Sequence, residues 1–128
     1  MENQEKTPTP RYTKVVFDHF PIATALFDAQ DLRLLIANAR LHDLLDPAWQ
    51  DGQAIGHPLS DLLPGWFPQT KALALLALFQ RTAQTGNSYR MEEQPLVTSG
   101  GETTYWNWTL DPVCDQEGRI TQLLLTTN

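Results

Sequence analysis

Three strand-type runs occupy the last third of the chain, Tyr89 to Thr98, Glu102 to Val113 and Arg119 to Thr127. Only short polar connectors, Ser99 to Gly101 and Asp115 to Gly118, separate them. Connectors this short join neighbouring antiparallel strands, because a parallel crossover needs a dozen residues or more. A second hairpin is expected near the start, with Ile22 to Asp28 and Leu32 to Ala37 joined by Ala29, Gln30 and Asp31. Between the hairpin and the three-strand run the pattern is helical. The element order therefore implies an α+β domain: a five-stranded antiparallel sheet, with short helices and one longer helix segregated to one face.

Helix boundaries follow from caps and breakers. Tyr12, Val15, Val16 and Phe20 recur at helical spacing and predict an N-terminal amphipathic helix ending at Pro21. Residues 1–11 carry no aliphatic side chain after Met1 and two prolines, and read as a flexible leader ahead of a domain over 12–127. Asn38 stands where an N-cap is wanted, with Leu41, Leu44 and Leu45 following on one face. The Gly and Pro positions between Trp49 and Gly65 leave room only for one-turn or two-turn helices, one of them within PLSDLL. The longest helix is expected over Pro68 to Thr85 with Gly86 as its stop. Its middle is apolar all round, so one side should cover the sheet while the other, probed by Leu75 or Leu78, meets a loop, the leading helix or a second copy.

Composition narrows the partners. Hydrophobic residues make up 41% of 128, enough for one core. Nine Lys and Arg against fifteen Asp and Glu give a net charge of −6, which argues against nucleic acid as a partner. The single cysteine, Cys114, excludes an internal disulfide and a paired-thiolate zinc site, and fits a reducing, cytoplasmic compartment. The longest apolar run, Ala72 to Phe79, is too short to span a bilayer, so no membrane contact is expected of this segment.

The stretch FPIATALFDAQDLRLLIANARLHDLL resembles the opening hairpin of PAS domains, running into a helix that begins with Asn38. Ile55, Gly56 and LSDLLPG resemble the short helices that follow. The segment from Gly86 to Leu125 is similar to the family's last three strands, with a G-x-x-x-Y-W approach at Gly101 to Trp106, the pair Pro112 and Val113, and a D-x-x-G turn at Asp115 to Gly118. This resemblance implies a sensory PAS module of a multidomain signalling protein, such as a sensor histidine kinase of a two-component system. Such a module binds a small molecule or pairs as a homodimer, and relays the signal through its C-terminal strand to an effector in the same parent chain.

The resemblance also bears on cofactors. Haem-binding relatives commonly supply a histidine from the long helix, and Pro68 to Thr85 holds none, although His42 and His57 remain in principle available. The G-x-N-C-R-F-L-Q motif of covalent flavin photoreceptors is missing, and the cofactor stays unknown. His19, His42 and His57 share no spacing that makes one catalytic site, so no catalytic or metal-binding residue is assigned.

Pocket lining is assigned by face to Leu45, Leu62, Phe67, Leu76 and Trp108. Trp106, Trp108 and Leu110 project from one face of their strand, to pack against helices or to wall a pocket or dimer surface. Two alternatives remain open. One is a small enzyme of cone-shaped α+β fold using Asp28, Glu92 or Glu93 as base. The other is a purely structural pairing module, its interior filled by Leu41, Leu45, Leu62, Phe67, Leu73 and Leu76.

Overall fold

The computed structural model describes residues 19, 22–44, 53–65, 67–97 and 101–127. The leading amphipathic helix, its leader and Leu45 fall outside these residues, apart from His19 in an exposed turn. The described elements are β1 (Ala23–Asp28), β2 (Leu34–Ala37), α1 (Ala39–Leu44), α2 (Leu59–Leu62), a 3-10 turn (Leu63–Gly65), α3 (Gln69–Thr85), β3 (Tyr89–Val97), β4 (Thr103–Cys114) and β5 (Ile120–Thr127). The sheet order is β2-β1-β5-β4-β3, and every pairing is antiparallel. The last strand is thus the middle one.

Alternation puts Ala23, Ala25 and Phe27 of β1, Trp108 and Leu110 of β4, and Leu123 and Leu125 of β5 on the inner face, all buried. The helices close over them. From α3 come Ala72, Leu75 and Phe79, and the Phe79 ring meets Phe27 edge-on with centroids 5.5 Å apart. Leu41 of α1, Leu59 and Leu62 of α2 and Leu63 of the 3-10 turn complete the core. Both prolines of the late strands sit where a missing N–H costs nothing. Pro95 is on the edge strand β3, and Pro112 lies beyond Leu110, where pairing of β4 with β3 has ended.

Several boundaries depart from the sequence pattern for local reasons. β2 starts at Leu34 rather than Leu32, because Leu32 adopts φ 58° and completes the turn with its side chain buried. Burying that side chain offsets a left-handed conformation costing about 1–2 kcal/mol. β3 carries a bulge between Met91 and Gln94, with Glu93 at φ 53° and its N–H donated to Oδ1 of Asn107. The open edge of β2 is covered by the segment before α2: Leu34 N–H donates to His57 O at 3.0 Å, and Gly56 N–H to Leu34 O at 2.8 Å. α3 ends at Gly86, at φ 77°, as its spacing predicts.

Among the described residues α3 meets the sheet along one stripe, and the leading helix expected on its other side lies outside them. Leu75 is buried against the sheet and Leu78 packs at the margin of the core, so neither marks an outward side. Leu73 is the outward apolar residue, at 60% exposure, and does not fill the interior. The helix repeat sets Leu73 well away from the stripe of Ala72, Leu75 and Phe79 that the sheet can reach.

Asn38 joins the first hairpin to α1. Its Oδ1 accepts from Thr24 N–H at 2.9 Å and from Leu41 N–H at 3.0 Å, while its Nδ2 donates to Ile22 O at 2.7 Å. The residue is fully buried, so the side chain supplies three bonds that water cannot replace. Asn38→Ala removes a helix cap and strands buried backbone groups, and should destabilise the domain by about 3 kcal/mol in urea unfolding. Asn38→Asp keeps the two acceptor bonds but sets a carboxylate oxygen against Ile22 O in a fully buried site, and should also destabilise the domain in urea unfolding.

Candidate functional site

Phe67 follows the 3-10 turn and precedes α3, where the chain folds its ring inward to meet Trp108 of β4. The ring centroids lie 5.8 Å apart at 50°. The Lys71 ammonium sits 5.7 Å from the Phe67 ring and donates to Oε1 of Gln94 at 3.0 Å, tying α3 to the bulge of β3. The other edge of Phe67 faces a cleft of about 560 Å³, walled by Leu63, Pro64, Ala72, Leu73 and Leu76 and rimmed by Ser60 and Gln69. Among the described residues no charged side chain lines it. The cleft suits an apolar group better than an ion.

Two further clefts lie nearby or opposite. One of about 340 Å³ adjoins the first across Leu76 and Ser60 and runs between α3 and the β1–β2 turn. Another of about 340 Å³ is formed by Ile22, Ala23, Arg40, Leu44, Trp106 and Thr127 with Asp43 at α1. Trp106 is half-buried there, its Nε1–H donated to Thr104 Oγ1 at 2.7 Å, whereas Trp108 is buried in the core. Both indoles therefore face the helical side.

Of the residues assigned to a pocket from sequence, Phe67 and Leu76 share the apolar cleft. Trp108 stands directly behind Phe67. Leu62 is buried in the core on α2, away from these three clefts, and Leu45 lies outside the described residues. Ala72, Leu73 and Gln69 were missed as cleft residues. Their spacing with Leu76, at three, four and seven residues, was the available signal for one helical face.

The acid–base candidates are dispersed. Asp28 Oδ1 accepts from Gln30 N–H at 2.7 Å and Asp31 N–H at 3.3 Å, so it shapes the β1–β2 turn. Glu92 and Glu93 are exposed at the β3 bulge. His57 Nδ1 lies 3.3 Å from the Asp61 carboxylate, with both side chains about half exposed. Among the described residues no group of three His, Cys, Asp or Glu is placed to hold a metal ion.

One comparison decides the family. The profile of the PAS fold matches residues 17–127. The chain belongs to the PAS family. Solved structures agree on the fold of this PAS domain. VqmA of Vibrio cholerae, described as a dimer and a DNA-binding receptor of LuxR type, superposes with a TM-score of 0.72 at 16% identity, covering 94% of this chain and 52% of its own. VqmA has also been solved bound to DPO, with a TM-score of 0.72 at 15% identity over 92% of this chain and 56% of that one. The PAS domain of Bordetella pertussis BvgS gives 0.70 at 14% identity, covering 91% of this chain and 82% of its own. The chain spans about half the length of the VqmA structures it matches. The comparison with curated protein sequences finds no match.

The Phe67 and Trp108 contact is specific enough to measure. A double-mutant cycle with Phe67→Leu and Trp108→Leu should return a coupling energy of about 1 kcal/mol from urea unfolding. Additive single effects would mean that the two rings touch without cooperating.

Proposed function

We propose that this PAS domain is the sensory or regulatory part of a larger signal-transduction protein, a sensor histidine kinase being one such parent, and that it does no chemistry itself. A small, mainly apolar molecule occupies the cleft beside Phe67, and β5 carries the effect onward. The observation that carries this reading is a short physical path. Phe67 walls the cleft and packs on Trp108, and Trp108 is paired in register with Thr127 at the end of β5. Thr127 is paired on its other side with Ala23, so a shift at Trp108 reaches both halves of the sheet.

A ligand moves such an equilibrium only by its differential affinity for two arrangements. Here the difference would come from the Phe67 ring, which a molecule in the cleft presses toward Trp108. The acidic balance supports a domain that leaves any contact with nucleic acid to another part of its parent. No helix among the described residues is long and apolar enough to cross a membrane, consistent with the cytoplasmic placement we propose. A second reading, a homodimerisation module with no ligand, is favoured by one observation: Leu73 stands 60% exposed beside an interior well filled by Phe27, Phe79, Phe67 and Trp108.

Thermal unfolding across a set of small, neutral, apolar molecules separates the two. At a hundredfold excess over Kd a ligand stabilises the folded state by about 2.7 kcal/mol. For a domain of this size that raises Tm by roughly 10 °C. The rise should disappear in Ser60→Trp, which fills the cleft from its exposed rim. A Tm unmoved by every member of the set, with a concentration-dependent Tm for the chain alone, would favour the pairing module.

A further inference from the structure

The apolar cleft does not end at Leu76. That side chain and Ser60 also wall the neighbouring cleft, so the two lie end to end along α3 and are taken together as one trough. The helix contributes Gln69, Ala72, Leu73 and Leu76 to the first part, and Leu76, Gln80, Ala83 and Gln84 to the second. These positions make one continuous stripe at helical spacing. At about 1.5 Å of rise per residue the stripe is roughly 22 Å long.

Its two ends differ in chemistry. Around Phe67 the walls are mainly aliphatic, aromatic and proline carbons, with Ser60 and the Gln69 carboxamide at the rim. At the far end Leu32, Leu59 and Ala83 form an apolar floor, and the rim carries the carboxamides of Gln30, Gln80 and Gln84. Each carboxamide offers two donors and an acceptor with two lone pairs. Gln80 and Gln84 are exposed, on two successive turns of one rigid helix, and Gln30 faces them from the β1–β2 turn. Among the described residues Asp31 is the one charged side chain in this lining, and its carboxylate is already met by the Arg33 guanidinium at 3.3 Å, whereas the three carboxamides offer an uncharged head both donors and acceptors.

We infer that the trough takes an elongated, uncharged amphiphile, its hydrocarbon part beside Phe67 and Leu73 and a carboxamide-like or hydroxyl-bearing head among Gln30, Gln80 and Gln84. This rests on the sensory reading of the Phe67 cleft and adds the class of its ligand. Leu76 is the point where tail and head meet. The two cleft volumes, about 340 and 560 Å³, place the trough at the scale of sites for single small molecules. One carboxamide, Gln69, rims the Phe67 end against three, Gln30, Gln80 and Gln84, at the other, and that imbalance argues for one molecule with two ends rather than for an apolar helix of another chain, which would bury the glutamines against carbon.

Calorimetric titration of the full chain tests this with four probes below their micellar concentrations: decanamide, decanoate, decylammonium and 1-hexanol. Decanamide should bind roughly tenfold or more tightly than either charged homologue and than 1-hexanol, which is too short to span both ends. The double variant Gln80→Ala and Gln84→Ala changes only exposed side chains. It should cut decanamide affinity roughly tenfold while leaving 1-hexanol unchanged. Decanamide binding no better than decanoate, or indifferent to the glutamine variant, overturns the amphiphile while 1-hexanol bound by wild type and refused by Ser60→Trp keeps the apolar cleft. If none of the four binds and Leu73→Lys turns a dimer into a monomer in sedimentation, the face belongs to a second copy and both readings fall.

Discussion

β5 is hydrogen-bonded on both sides, to β1 and to β4, and that double pairing holds the rest of the fold in place. The two hairpin regions of the chain share no covalent neighbour. They become one sheet only because the final strand inserts between them, bringing Ala23, Thr127, Trp108 and Met91 into one row. Closing so long a loop costs chain entropy before any contact is made. The return comes from Leu123 and Leu125, buried between the two halves and under α3. The Asn38 bonds act at the same end of the sheet, holding the start of β1 to α1.

The candidate site inherits its character from this arrangement. A strand in the middle of a sheet cannot shift without disturbing two neighbours, so a side chain that leans on its partner residue has leverage at the chain's end. Phe67 leans on Trp108, and Trp108 faces Thr127 across the ladder. A cleft placed on Phe67 reaches the C-terminal end of β5 through Trp108, whereas one placed at the β1–β2 turn meets β5 at its start, where Ala29 N–H donates to Thr121 O at 3.0 Å.

Much of the fold was legible because local chemistry and tertiary outcome agree. Asn38 caps α1, Gly86 stops α3, and the D-x-x-G turn at Asp115 joins β4 to β5, each as residue type and spacing imply. The pairing of β1 with β5 has no local signal, because the two strands lie at opposite ends of the sequence. The β3 bulge at Glu93 and the left-handed Leu32 were hidden because neither residue type favours a positive φ. Burial and a neighbouring side chain impose it. At the site, Phe67 and Leu76 were reachable from the apolar pattern. Leu73 counted as interior only in the pairing-module alternative, and a run that is apolar on every face does not announce which face the sheet will take. Gln80 and Gln84 carried no signal at all, since exposed glutamines on a helix are ordinary until a turn such as Gln30's is set opposite them.

The central claim, that Phe67 reports through Trp108 to β5, is tested most directly by backbone amide spectra of Leu125 and Thr127 with the Phe67 cleft empty and occupied. In the wild-type chain both amides should shift on occupation. In Trp108→Leu the cleft should still bind while the two amides stay still. Amides of β5 that are silent in the wild type, or that move equally in Trp108→Leu, would contradict the account.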